Sequence, residues 1–170
     1  MNDSENDRWS LHRQASTGAL QLDATDLEEL LPIQRDRLLI DRVLALRPGM
    51  HAIAEKAVSA GPREQQFRGR EEFTFPSTHA FSAMEQLSLV IMISELPLGQ
   101  TIDVPALVSI ASMNVSAELV EPGLLHLNVR STGIVDIQEV EGEVLGFEGT
   151  VSVNGEDFVT ATWHMKKGKP

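Results

Sequence analysis

The chain lacks the residues and segments that mark several classes of protein. Its 170 residues include no cysteine, which excludes disulfide frameworks, cysteine-ligated zinc and iron–sulfur sites, and a thiolate nucleophile. The most apolar run, residues 80–93, is too short and too interrupted to span a bilayer. The first residues have neither the basic start nor the apolar core of a secretory signal. We therefore expect a soluble cytoplasmic protein that has no membrane partner.

Positive charge is also scarce. The 14 lysines and arginines stand against 25 aspartates and glutamates, which gives a formal net charge of −11 and a pI near 4.8. Binding to a nucleic-acid backbone needs a basic face, so nucleic acid is not an expected partner. The bases concentrate between Arg35 and Arg70 and in the C-terminal lysines, so an acidic partner would dock at one of these two places.

What the sequence does contain is typical of one globular domain. Hydrophobic residues make up 42% of the chain and charged residues 23%, which suits a single soluble core. Residues 1–24 are polar, and their few apolar residues follow no helical or strand periodicity, which predicts a flexible N-terminal extension. Residues 25–170 form the predicted domain. Near the boundary, Thr25 or Asp26 is the predicted N-cap of a short helix that ends at Pro32.

The best predicted helix spans residues 76–95. Pro76 precedes two candidate N-cap residues, Ser77 and Thr78, and no glycine or proline follows until Pro97. Apolar residues cover most of the circumference of this helix. A helix with that pattern is buried inside the domain instead of lying on its surface.

Strands account for most of the remaining chain. They are predicted over residues 51–59 and over four later segments rich in Val, Ile and Thr: 104–117, 124–133, 142–153 and 157–165. Asn154-Gly155 between the last two predicts a hairpin turn. The predicted fold class is therefore α+β, with a curved antiparallel sheet around one long buried helix. Such a sheet has exposed edges, which a dimer commonly covers.

Several short motifs occur together in a consistent order and spacing. They are LLP and LLIDRV at residues 30–32 and 38–43, RPG at 47–49, EKAVS at 55–59, FPS and SAMEQ at 75–77 and 82–86, VEPG at 120–123, and VNG at 153–155. This series resembles the LLPHRxPFLLVDRV, MPG, EAMAQ, VxPGD and VDG motifs of the β-hydroxyacyl-[acyl carrier protein] dehydratases of fatty-acid synthesis. The resemblance covers residues 27–165 and implies the hotdog fold of that family.

The resemblance also shows where the family's catalytic residues would fall. That family uses a His in a GHFPG loop and a Glu in EAMAQ, from opposite protomers. Here the family His aligns with Arg68, or with Arg70 if FRGR is matched to FxGH, and a guanidinium cannot act as a base. The family Glu aligns with Ser82, or with Glu85 if the helix is shifted by three residues. The resemblance therefore implies a dehydratase-like protein without the standard catalytic pair.

Polar residues on the long helix are the candidates for replacing that pair. His79, Ser82 and Gln86 lie within about 60° of one another around a helix, so they form a polar stripe on the side that faces the acyl tunnel in the relatives. A His beside a Ser predicts a base and a nucleophile, and hence a thioesterase. The alternative is that His79 bonds locally at the helix start and Ser82 only fills space. Arg68, Arg70 and Gln86 are the predicted substrate-binding residues.

Glu85 lies about 60° further round the helix from Ser82. A carboxylate in a buried helix is unfavourable unless it has a partner. It is either a displaced catalytic acid or the ion-pair partner of Arg68 or Arg70, which could reach it across a dimer interface.

Two functions remain open on the sequence alone. One is a non-catalytic subunit that binds an acyl thioester or completes the site of a dehydratase paralogue, which resembles the heterodimeric dehydratases of mycolic-acid and some polyene pathways. The other is a divergent dehydratase or thioesterase that uses His79 with Glu85 or Ser82. The acyl carrier would be an acyl carrier protein or coenzyme A, in fatty-acid-like or polyketide-like biosynthesis, and the assembly a homodimer or a heterodimer. No cofactor or metal is expected.

Overall fold

The computed structural model describes residues 19–59, 74–96 and 103–168. These residues form two α-helices, one 3₁₀ turn and seven strands. In chain order they are β1 (Leu20–Leu22), α1 (Ala24–Leu30), the 3₁₀ turn (Arg35–Arg37), β2 (Arg42–Arg47), β3 (His51–Val58), α2 (Ser77–Ile93), β4 (Ala106–Val115), β5 (Gly123–Ile134), β6 (Val144–Val153) and β7 (Glu156–Lys166). Of the predicted extension, residues 1–18 lie outside the described residues, and β1 falls within its last part.

The seven strands form one sheet in the order β1-β2-β3-β5-β6-β7-β4, with every neighbouring pair antiparallel. Helix α2 packs on one face, against β3, β5, β6 and β7. The predicted antiparallel sheet with one helix against it is confirmed. We call the helix side of the sheet its inner face and the other side its outer face. Strand β4 pairs with β7 and forms one edge of the sheet.

Helix α2 is buried along most of its length, as its apolar composition predicts. Ten of its residues are buried: Ala80, Phe81, Ala83, Met84, Leu87, Ser88, Leu89, Val90, Ile91 and Met92. The predicted N-cap at Ser77 or Thr78 was wrong, because the N-cap is Pro76, whose carbonyl accepts from the His79 N–H at 2.9 Å. The ring of proline fixes its φ at −60° and carries no hydrogen-bonding atom, so this helix starts without a side-chain cap.

The N-cap of α1 also differs from the prediction. It is Asp23, whose carboxylate accepts from the Asp26 N–H at 3.0 Å, and the Asp26 carboxylate accepts in return from the Asp23 N–H at 3.0 Å. This is a capping box, in which two otherwise unpaired N–H groups find partners. Thr25 therefore lies inside the helix.

The turn at Asn154 and Gly155 is the predicted two-residue hairpin. Both residues have positive φ angles, 52° and 83°, and Val153 pairs with Glu156 across the turn. Asn and Gly adopt positive φ at low energetic cost, and two such residues match the twist of antiparallel strands. The turn therefore sets the register of β6 against β7.

Aromatic rings fill the space between α2 and the sheet. Trp163 is fully buried in β7, with Phe81 packed edge-on at a centroid distance of 5.5 Å and Phe147 stacked at 6.0 Å. Gly149 makes room for this cluster, since a Cβ there would lie 2.9 Å from Trp163 and 3.0 Å from Met84. No helix in the described ranges is long and apolar enough to cross a membrane.

Candidate functional site

One flank of α2 escapes full burial. Ser82, Glu85 and Gln86 are half-buried, and His79, one turn earlier, is exposed. The remaining circumference is covered by the sheet and by the N-terminal segment. The helix therefore presents to its surroundings the polar residues that the sequence singled out.

Glu85 is the most unusual of these side chains. Burial raises the pKa of its carboxyl above the ordinary value. Within the described ranges, no side chain makes an ion pair or a hydrogen bond with this carboxyl group. Arg68 and Arg70 lie outside the described residues, so their pairing with Glu85 and their role in substrate binding stay predictions. A carboxyl group with a raised pKa keeps its proton to a higher pH than a solvated glutamate does, which is the property a general acid needs.

His79 and Ser82 lie on the same helix without bonding to each other. The His79 ring packs edge-on against Phe75, with centroids 5.8 Å apart. Phe75 is itself held by a bridge to Leu119, whose carbonyl accepts from the Phe75 N–H at 2.9 Å. The nucleophile–base pair of His79 and Ser82 is therefore not assembled in this arrangement, and the catalytic role of each residue stays a prediction.

Gln86 connects the helix to the segment before β2. Its side-chain oxygen accepts from the Leu39 N–H at 2.8 Å, and its side-chain nitrogen donates to the Arg37 carbonyl at 2.9 Å. Both ends of the amide thus bond to backbone, which anchors this flank of α2. Its predicted role in substrate binding stays untested.

Helix geometry places Glu85 on the β7 side of α2. At 100° per residue, it is 40° from Phe81 and 60° from Ser88 around the helix. Both of these residues contact Trp163 in β7, while Gln86 lies 100° away from Glu85 in the other direction. Trp163 pairs with Ile110 of β4, so Glu85 lies on the flank of α2 that is nearer to this edge of the sheet.

The inner face of β4 is apolar and uncovered at this edge. Leu107, Ile110 and Val115 pair with inward-facing residues of β7, and they are 37%, 46% and 42% exposed. Large apolar side chains that remain exposed in a row on one face commonly mark a surface that something else covers. We call these three residues the β4 apolar row. The candidate site consists of this row together with Ser82 and Glu85.

A second polar cluster, which the sequence did not reveal, lies on the outer face. The Glu55 carboxylate is buried there, accepts from Arg42 Nε at 2.6 Å and lies 3.4 Å from His126 Nδ1. The three residues are neighbours on β2, β3 and β5. The alternation of β3 would have placed Glu55 on the outer face, but only strand pairing shows which residues flank it. This polar cluster links β2, β3 and β5 on the side of the sheet away from α2.

A shallow groove of about 280 Å³ crosses the outer face. It is lined by Ser112, Asn128, Arg130, Glu148, Gly149, Thr150, Thr160, Ala161 and Thr162. Arg130 and Glu148 form an ion pair within it. Of the predicted site residues, the four that the structure describes (His79, Ser82, Glu85 and Gln86) do not line this groove. Among the described residues, no group of three or more His, Asp or Glu side chains is placed to hold a metal ion.

Comparison with known proteins gives a match in structure but not in sequence. No family model matches the chain, and neither does any curated protein. The fold matches the dehydratase heterocomplex ApeI:P from Xenorhabdus doucetiae with a TM-score of 0.61, at 16% identity over 84% of this chain and 91% of that chain.

Two further solved structures are similar. Cj0977, a sigma28-regulated virulence protein from Campylobacter jejuni, has a TM-score of 0.59 at 10% identity, over 86% of this chain and 90% of its own. A mutant of thioesterase PA1618 from Pseudomonas aeruginosa has a TM-score of 0.51 at 14% identity, over 77% of this chain and 82% of that chain. At these identities the likeness shows the fold alone, which is a hotdog-like α+β fold.

Proposed function

We propose that this protein handles acyl thioesters as a dehydratase-like subunit whose site is completed by a second chain. The observation that carries the proposal is Glu85, a half-buried carboxyl group on the flank of α2 nearer to the uncovered apolar face of β4. An acyl thioester has the matching chemistry, with an apolar chain for the β4 apolar row and a carbonyl or β-hydroxyl group for the acid.

The edge strand supports the need for a second chain. Exposed edges are normally protected by charged residues or proline, because unpaired backbone groups invite another strand. The ten residues of β4, ALVSIASMNV, include neither a charged residue nor a proline. A strand from a second chain would pair with this edge and extend the sheet, and the elements packed on the inner face of that chain would then lie over the β4 apolar row. It would also bring new side chains close to Glu85.

The second chain is either another copy or a dehydratase paralogue. The paralogue is favoured chemically, because dehydration needs a base for the α-proton as well as an acid for the leaving hydroxyl. Glu85 is suited to the acid role, and its described surroundings contain no base bonded to it. One structural neighbour, the ApeI:P dehydratase heterocomplex, is in keeping with such a pairing.

In the completed site the chemistry is an elimination of water. A base of the partner removes the α-proton of a 3-hydroxyacyl thioester, and the electron pair forms the α,β double bond as the β-hydroxyl leaves. The Glu85 carboxyl donates its proton to that hydroxyl, so the products are a trans-2-enoyl thioester and water. The raised pKa of Glu85 keeps the proton available. The carrier is either an acyl carrier protein or coenzyme A.

A second candidate is an active enzyme that works without a paralogue. Its support is the raised pKa of Glu85, since carboxyl groups with perturbed pKa values cluster at catalytic sites. Such an enzyme would be a divergent dehydratase, or a thioesterase that uses His79 with Glu85 or Ser82.

The reverse reaction separates these candidates. Hydration of a short trans-2-enoyl pantetheine thioester is measured as the loss of enoyl absorbance. The assay is run with the protein alone and with the protein mixed with a paralogue that has an intact GHFPG loop. We expect no turnover by the protein alone and turnover by the mixture beyond that of the paralogue alone. Glu85→Gln should lower this excess turnover of the mixture by on the order of 100-fold. Glu95→Gln, which changes an exposed residue after the same helix, should leave the excess turnover unchanged.

Other outcomes would change the conclusion. Turnover by the protein alone that Glu85→Gln abolishes would favour the self-sufficient dehydratase. Release of free thiol from a saturated acyl thioester, lost in His79→Ala and Ser82→Ala, would favour the thioesterase. A mixture no more active than the paralogue by itself would overturn the subunit proposal.

A further inference from the structure

Ser88 lies at the point where α2, β7 and Glu85 meet. Its hydroxyl donates to the Glu85 carbonyl at 2.6 Å and accepts from the Trp163 indole N–H at 3.3 Å. Ser88 and Trp163 are both fully buried. The hydroxyl therefore joins the backbone of the candidate acid to the centre of the core.

The apolar pattern of α2 does not by itself define which side of the helix faces the sheet. Buried residues occur on nearly every side of the helix, so no single apolar face selects one orientation. Directional hydrogen bonds add to the side-chain packing here, because a turned helix would leave buried donors and acceptors without partners.

Two such directional contacts hold α2 at the level of Glu85. On one flank Ser88 bonds to Trp163, and on the other Gln86 bonds to the backbone of Arg37 and Leu39. The Trp163 ring has no freedom of its own, since Phe81 and Phe147 pack against it. Glu85 lies next to Gln86 and one turn before Ser88, so its direction follows from these contacts.

We infer that Ser88 is a positioning residue: with Trp163 it sets the rotation of α2 and so directs the Glu85 carboxyl toward the β4 edge. This inference rests on the proposed function in that Glu85 is taken as the acid of the site. Ser88 itself touches no substrate. Loss of its hydroxyl would let the helix turn, and Glu85 would move away from the position that the partner's base requires.

The test uses Ser88→Ala with Ser94→Ala as a matched control. Ser94 makes the same kind of bond, to the Ile91 carbonyl at 3.0 Å, but has no tryptophan partner. The first readout is the titration of the Glu85 carboxyl in the full chain, followed by ¹³C NMR and assigned with Glu85→Gln. Ser88→Ala should shift this titration toward that of an exposed glutamate, and Ser94→Ala should not.

The second readout is hydration by the mixture with the paralogue. Ser88→Ala should lower kcat by on the order of tenfold or more while KM stays the same, since the acid is misplaced and not removed. Trp163→Phe, which removes the same N–H group but keeps a ring, should lower kcat in the same way. Trp163→Phe therefore tests the same hydrogen bond if Ser88→Ala does not fold.

The outcomes separate this inference from the proposed function. If no mixture turns over but Ser88→Ala shifts the Glu85 titration, the proposed function fails and the positioning role stands. If Ser88→Ala and Trp163→Phe lower the melting temperature yet leave both the titration and kcat unchanged, the role is only structural and the inference is overturned.

Discussion

Glu85 links the chemistry of the candidate site to the stability of the fold. Its carboxyl titrates at 4.5 in the absence of perturbation, and burial raises the pKa in the folded chain. Between these two pH values the folded chain keeps a proton that the unfolded chain has lost. The free energy of unfolding therefore falls as the pH rises through this interval, because ionisation of Glu85 favours the unfolded state.

This residue gives a prediction about pH and stability. Glu85→Gln removes the titration, so the variant should have a higher melting temperature than the natural chain above the interval. This difference in melting temperature should shrink toward zero below pH 4.5, where Glu85 is protonated in both the folded and the unfolded chain. Thermal unfolding from pH 4 to pH 8 measures it, with Glu118→Gln, an exposed loop residue, as the control. A difference that does not vary with pH would contradict the prediction.

The sequence reveals part of this residue-scale arrangement. The apolar composition and helical spacing of residues 76–95 make the carboxylate of Glu85 stand out, so the sequence alone identifies Glu85 as a candidate site residue. Its angle to Phe81 and Ser88 also follows from helix geometry. The bond between Ser88 and Trp163 was not predictable, because it joins residues 75 positions apart that only the tertiary fold brings together.

At the scale of the element, α1 shows how a helix start is decided. Two acidic residues three positions apart form a reciprocal capping box, although the sequence also offered Thr25 as a cap. Local hydrogen bonding decides between them, because only a cap at Asp23 lets both carboxylates accept N–H groups. The existence of this short helix was predictable, but its first residue was not.

This cap gives a second prediction. Asp23→Ala should reduce the free energy of unfolding by about 0.5–2 kcal/mol, since an N–H group at the helix start loses its acceptor. Thr25→Ala is the control, and because Thr25 is exposed inside the helix we expect no loss of stability. Urea unfolding measures both variants. A larger loss in Thr25→Ala than in Asp23→Ala would mean that the helix starts where the sequence alone suggested.

At the scale of the whole molecule, the uncovered edge determines how the protein can assemble. The inner face of β4 is apolar and exposed, while outward residues of the same strand, such as Ser112 and Asn114, are polar. A partner that continues the sheet at β4 and packs its own elements on the inner face would therefore bury one face of β4 and leave the other in water. The two faces provide a matched pair of sites for testing assembly.

The third prediction concerns this edge. Ile110→Lys should weaken assembly with a second copy or a paralogue by on the order of 100-fold or more, since it buries an unpaired charge in the interface. Asn114→Lys, on the outer face of the same strand, should leave assembly intact. Light scattering coupled to size-exclusion chromatography reports the mass of each variant. Equal masses for both variants would show that the β4 apolar row is not an interface.

Local patterns were enough for the sequence by itself to determine most elements of this protein, although β1 (Leu20–Leu22) lies in the segment predicted to be a flexible extension. Interactions between residues close together in the chain determine these elements. Examples are the apolar run of α2, the Val- and Thr-rich strands and the Asn154-Gly155 turn. The order of motifs also indicated the hotdog fold, which agrees with the solved structures that the chain resembles.

Only the tertiary structure decided which residues meet. The chain places β4 before β5, yet strand pairing puts it beside β7 at the edge of the sheet. That placement leaves the β4 apolar row exposed at the edge nearer to Glu85, and it comes from the packing of distant segments, which no local pattern encodes. For the same reason the tie between Ser88 and Trp163, and the cluster around Glu55, became visible only once the strands were in register.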